Sequence, residues 1–188
     1  MPWALAHLGY IVVCLDARGT PGRSKAFQDT VYRAWAGDQI PDHAGAIRQL
    51  CERHDWMDIH RVGITGHSWG AYYAILALAQ APELYKAAVA SSPGACDLWL
   101  YGIQEPYLGM PQDNRKPYDD ASLLTRAADI KGKLLLVAAT SDQVISPIKM
   151  TRALIDADVD HEFVLLPGSG HYYVGKDLDY LFMKMNGW

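Results

Sequence analysis

The sequence predicts one domain built on a mostly parallel α/β sheet with helices on both faces. Three observations carry this. Strand-type and helix-type segments alternate along the chain, the pattern of successive βα units. The strand-type segments are runs of Val, Ile, Leu and Ala rather than alternating patterns, which fits burial on both faces. The chain has 188 residues, 50% hydrophobic and 20% charged, enough for a sizeable core but cramped for two domains.

ALAHLG reads as the end of a helix and YIVVCLD as a buried strand. IPDHAGAIRQLCERH has helical spacing, with Pro41 suited to the first turn. RVGIT reads as a strand and GAYYAILALAQ as a helix; KAAVASS is the next strand. A loop-rich insert spans roughly Pro93 to Asp120. SLLTRAADI is a short helix, KLLLVAA a strand, PIKMTRALIDAD a helix and HEFVLLP a strand. DLDYLFMKMN closes the chain as a helix, making five expected strands in all. No internal repeat, low-complexity segment or linker interrupts them.

Composition excludes some functions. The net charge is −4 and there is no basic tract, so nucleic acid is not an expected partner. The longest apolar stretches, such as AYYAILALA, are too short to span a bilayer, so no membrane association is expected. MPWALAHLGYIVV lacks a basic n-region and a cleavage site and is not read as a signal peptide. Cys14, Cys51 and Cys96 form no metal pattern and are expected to behave as small core hydrophobes.

The chemistry begins at Gly66-His67-Ser68-Trp69-Gly70, where a buried strand becomes a buried helix. G-x-S-x-G at such a junction is the nucleophile-elbow pattern of α/β-hydrolase-like folds. The turn is sharp and strained. Gly66 and Gly70 are expected to let strand and helix approach closely, while the Trp69 backbone N–H is placed to donate to an oxyanion. The competing reading is a Gly-rich turn with an idle serine.

A serine hydroxyl needs a base, and the base needs an orienting group. In this fold the acid and then the base follow the serine in the chain. His7, His43, His54 and His60 precede Ser68. His67 adjoins it and is expected to point away. His161 begins a strand, at the wrong end of a sheet. His171 follows HEFVLLP at the strand's carboxyl end and is the expected base. Asp142 closes KLLLVAATSD and is the expected acid, ahead of Asp97, Asp119 and Asp120 in the insert.

These residues, with LDARGTPGRSKAFQD, MDIHRVGITGHSWGAY, EPYLGMPQDN, KGKLLLVAATSD and LLPGSGH, resemble in order the catalytic domain of the prolyl oligopeptidase/dipeptidyl peptidase IV family. The resemblance carries the nucleophile to Ser68, the acid to Asp142 and the base to His171. It implies peptide substrates cut after proline or alanine, with no metal or organic cofactor. It also implies a proline-accepting pocket near Trp99, Tyr101 and Tyr107. The chain departs from the family at Ala138-Ala139, where His-Gly is usual, and at Ala71, where a second Gly is usual. Family members carry a β-propeller and several hydrolase strands ahead of the segment matched here, so the chain is expected to be an N-terminally truncated hydrolase domain. One of those strands would lie between YIVVCLD and RVGIT, and a Tyr from the loop after it would serve the oxyanion. YIVVCLD is therefore expected to pair directly with RVGIT, or else with another copy or a complementing chain. Two alternatives to a peptidase stand beside it: a stand-alone hydrolase of small esters, and a non-catalytic assembly module.

Overall fold

The computed structural model describes residues 2–99 and 104–187. Four parallel strands form the sheet, in the order β1 Val62–His67, β2 Tyr85–Ser91, β3 Lys133–Ala139 and β4 Glu162–Leu166. Each strand pairs with its successor in the chain, as helical crossovers require of parallel neighbours. The register brings the carboxyl ends to one edge. His67 pairs with Ser91, Ser91 with Val137, and Ala139 with Leu166.

Burial explains the unbroken apolar strands. Along β3, Leu134 and Leu136 enter one core cluster while Leu135, Val137 and Ala139 enter the other. Successive side chains point to opposite faces, so a strand covered on both sides must be apolar at every position. On the first face lie α3 Gln39–Arg53, α4 Trp69–Gln80 and α7 Ile145–Asp156. The second is covered by α8 Lys176–Asn186 and by Leu5 of α1 Pro2–His7. Helix α4 is buried from Ala74 to Leu78 without a polar stripe, so it is enclosed rather than laid on the surface. Inside it, the buried Tyr72 donates its hydroxyl to the Ala121 carbonyl at 2.7 Å. The expected α/β-hydrolase-like class holds.

Two expectations need correction. YIVVCLD forms no ladder: residues 10–16 are not in a strand, and β1 is left at an edge of the sheet. Tyr10, Ile11 and Cys14 are exposed there. Apolarity reports that a segment is extended, but a strand also needs a partner to hydrogen-bond with, and these residues have none beside them in the sheet. An open depression of about 460 Å³ lies against Cys14, Leu15, Asp16 and Arg23. Cys14 is thus no core hydrophobe, whereas Cys96 is, and burial pushes its thiol up to about 12.

The loop-rich insert contains two short helices, α5 Glu105–Leu108 and α6 Arg115–Ala121, and α2 Lys25–Asp29 is a further short helix. SLLTRAADI contains a 3₁₀ helix, Leu124–Asp129. Among the described residues no helix is long and apolar enough to cross a membrane.

Candidate active site

Ser68 sits between β1 and α4 with φ +58° and ψ −116°. A left-handed φ is strained for a residue with a Cβ and persists only where the surroundings hold it. Here they do. The Ser68 N–H donates to Ser91 O at 2.9 Å, and Ser68 O accepts from the N–H groups of Ala71 and Tyr72 at 3.0 and 3.2 Å. A Cβ on Gly66 would lie 2.1 Å from the Gly70 carbonyl carbon and oxygen, so only glycine fits. Gly70 differs from its expected role, since a Cβ there meets nothing within 4 Å.

Two more strand ends supply the partners. Asp142 follows β3, and His171 follows β4. His171 Nε2 is 3.0 Å from Ser68 Oγ. His171 Nδ1 is 3.0 Å from both Asp142 oxygens. Ser68, His171 and Asp142 therefore form one hydrogen-bonded row with the imidazole in the middle. Asp142 is nearly enclosed and His171 about one-third exposed (side chains 10% and 33%), so the carboxylate lies under the ring, away from solvent. Burial pushes the Asp142 carboxyl up. Hydrogen bonds from His171, Ser92 and the Gln143 backbone outweigh this and hold it below the ordinary carboxylate range. An ionised acceptor at Nδ1 fixes the tautomer that leaves Nε2 free to accept the Ser68 proton.

A cavity of about 250 Å³ opens over the row, bordered by Trp69, Gly94, Ala95, Gln104 and Gln143. Trp69 opens α4, so its N–H is among the helix's first, unpaired donors, beside Ser68 in the same wall. Gln104 was not singled out by sequence. It is 1% exposed and its Oε1 has no partner. A lone glutamine in a loop carries no sequence signal of this kind, because burial creates it.

The other expected residues fall differently. Trp99 and Tyr107 do not border the cavity. Trp99 packs on Tyr118 with Arg115 over its ring. Tyr107 rests against Trp35, which meets Trp69 edge-on at 4.4 Å. Tyr101 lies outside the described residues. His67, expected to point away from Ser68, places its Nδ1 3.0 Å from Ser91 Oγ and its ring 4.9 Å from that of His171. The left-handed backbone at Ser68 breaks the alternation of the strand, so residues 67 and 68 both reach the imidazole. Among the described residues no group of His, Cys, Asp and Glu is arranged to hold a metal ion.

A doubly covered parallel sheet with a strained serine at a strand–helix elbow, and His and Asp on later strand ends, defines an α/β-hydrolase fold with a Ser-His-Asp row at the carboxyl edge of its sheet. The profile of the prolyl oligopeptidase family matches residues 2–186, and the chain belongs to that family. It is 34% identical to dipeptidyl peptidase 8 of Homo sapiens over 126 residues, covering 65% of this chain and 14% of that protein. It is 27% identical to prolyl endopeptidase FAP of Bos taurus over 186 residues, covering 94% of this chain and 24% of that one. The crystal structure of Porphyromonas gingivalis dipeptidyl peptidase 4 superposes with a TM-score of 0.85 at 24% identity, over 93% of this chain and 25% of that one. The chain thus spans about a quarter or less of the length of these relatives.

Proposed function

We propose that this chain carries the acyl-transfer centre of a serine peptidase of the prolyl oligopeptidase type. Ser68 Oγ attacks the substrate carbonyl as His171 Nε2 takes its proton. The developing oxyanion accepts the Trp69 N–H. Asp142 stabilises the imidazolium and keeps its orientation. The amine leaves with the proton from His171, giving an acyl-enzyme. Water, deprotonated in turn by His171, then releases the acid and restores Ser68. The observation that carries this reading is the unbroken Ser68–His171–Asp142 row, with 3.0 Å at each step. Peptides cut after proline or alanine are the proposed substrates, by analogy with the dipeptidyl and prolyl peptidases the chain resembles.

A fluorophosphonate probe tests the chemistry. The wild-type chain should label and Ser68→Ala should not; a wild-type chain that resists the probe would overturn the assignment. A second reading, hydrolysis of small esters, is favoured by the modest size of the cavity, about 250 Å³. Parallel assays of p-nitrophenyl acetate and a Xaa-Pro amide separate the two.

A further inference from the structure

We propose that Gln104 is a substrate-binding residue: its side-chain oxygen accepts the N–H of the acyl residue whose carbonyl Ser68 attacks. This rests on the acyl-transfer reading of Ser68, His171 and Asp142, and it narrows the substrates of that site.

Gln104 precedes α5 as its N-cap residue, yet its side chain makes no capping bond. It is 1% exposed, and its enclosed Oε1 has no hydrogen-bond partner. An acceptor buried unpaired disfavours the fold, and an apolar side chain of similar length would avoid that cost. Gln39 and Gln80 also carry enclosed unpaired oxygens, but of the three only Gln104 borders the cavity over Ser68. The unpaired acceptor therefore stands where a substrate enters.

The segment that carries it is anchored beside the nucleophile. Leu108 of α5 is fully buried, and the Tyr107 carbonyl accepts the Arg33 N–H at 2.8 Å. The Tyr107 ring rests on Trp35, and Trp35 on Trp69, the residue after Ser68. Packing thus fixes the backbone, while the terminal amide torsion of a glutamine is broad. A turn about that bond brings the oxygen to the cavity face.

Two other acceptors border the cavity. Gln143 is exposed, and its Oε1 fills the space a Gly94 Cβ would need, 2.3 Å away. Water can serve an exposed amide, so a substrate N–H gains little there. The Asp142 carboxylate is engaged by His171 Nδ1 at 3.0 Å. Gln104 Oε1 gives up no bond when it accepts one.

The size of the cavity names the donor. Ligand sites usually run from about 300 Å³ upward, and this one is about 250 Å³. It holds little more than the residue next to the scissile bond. The main-chain donor of that residue is its amide N–H. Alanine has it; proline, whose nitrogen is tied into the ring, does not. Of the peptides proposed as substrates, those cut after alanine are the ones Gln104 favours.

The test uses the full chain, Gln104→Met and Gln104→Glu, with the p-nitrophenyl esters of N-acetylalanine and N-acetyl-N-methylalanine. The second ester carries N–CH₃ where the first has N–H. Wild type should favour the first by about fivefold to tenfold in kcat/KM, the worth of one hydrogen bond. Gln104→Met should lose that preference. Gln104→Glu keeps an acceptor and should keep the preference. A merely structural glutamine would lower both esters alike and leave their ratio as in wild type. A wild-type ratio near one overturns the proposal, as does an unchanged ratio in a folded Gln104→Met chain or a lost preference in a folded Gln104→Glu chain. A wild-type chain that neither labels with fluorophosphonate nor turns over either ester fails the acyl-transfer reading instead. Binding then decides this one. In isotope-labelled Ser68→Ala, the NMR signal of the Gln104 side-chain NH₂ should shift with N-acetylalanine and less with N-acetyl-N-methylalanine; an equal response, or none, refutes the assignment.

Discussion

Replacing Asp142 by Asn separates two jobs of the carboxylate. His171 Nδ1 is 3.0 Å from each Asp142 oxygen, and the Gln143 backbone helps hold that carboxyl below its ordinary range. Asn offers one oxygen and one NH₂ where the carboxylate offers two oxygens. If the Asn oxygen faces His171, the imidazole keeps its tautomer. A bond to a charged acceptor becomes a neutral one, a loss of about 1 kcal/mol or somewhat more, close to tenfold in rate. In that orientation, however, the NH₂ faces the Gln143 backbone where a carboxylate oxygen was favoured. If the NH₂ faces His171, Nδ1 must accept, the proton moves to Nε2, and Nε2 points a hydrogen at Ser68 Oγ. A protonated Nε2 is no base. The cost is then about 10⁴ in kcat, as in the trypsin variant that illustrates this effect, or about 5.4 kcal/mol. The Gln143 N–H, which can only donate, favours the second orientation. Turnover of p-nitrophenyl acetate, with far-UV circular dichroism as a fold control, reads the outcome. A folded Asp142→Asn chain within about tenfold of wild type would refute the tautomer argument.

Four further outcomes follow from the same structure. Gly66→Ala drives a Cβ to 2.1 Å from Gly70 backbone, so it should abolish fluorophosphonate labelling and lower Tm, whereas Gly70→Ala should label; the opposite order would refute the elbow geometry. Gln39 buries both side-chain amide atoms without partners, so Gln39→Met should gain about 1–3 kcal/mol in denaturant unfolding, and a loss would count against it. The Arg18 hydrogen bonds hold the Asp42 carboxyl below its ordinary range, so the folded chain binds fewer protons than the unfolded one near that range and the pair stabilises at higher pH. Asp42→Asn should therefore lower Tm clearly at pH 7 and less as pH falls below about 4, as thermal melts across pH would show. Because among the described residues β1 has no strand on its outer side, we propose that it pairs with a strand of another copy; sedimentation should give a species heavier than the 20.8 kDa chain, and a strict monomer would refute it.

Local pattern carried much of this protein. Apolar runs marked four of the observed strands to within two residues at their ends, because burial on both faces leaves no alternation to blur them. KLLLVAA is β3 residue for residue. The elbow was legible because Gly66 answers to a short-range clash with Gly70. His171 and Asp142 were legible because each follows a strand directly, and strand ends in a parallel sheet share an edge. YIVVCLD was not, since its apolarity is real but its ladder is missing. Trp99 and Tyr107 were not, since an aromatic in an insert gives no sign of which wall it will meet.

What the sequence determined by itself is therefore the class of each segment, the strained serine turn, and the order of Ser68, Asp142 and His171 along the chain. The tertiary structure alone decided that Ser68 and His171, 103 residues apart, stand at 3.0 Å. It also decided that His67 lies against His171 and that Ser92 Oγ meets Tyr173 Oη at 2.8 Å. It left Gln104 with a buried, unpaired oxygen. The reason is physical. Periodicity and turn strain are set by neighbours a few residues away. Strand register, burial and hydrogen-bond partnership are set by groups that meet only once the sheet has closed.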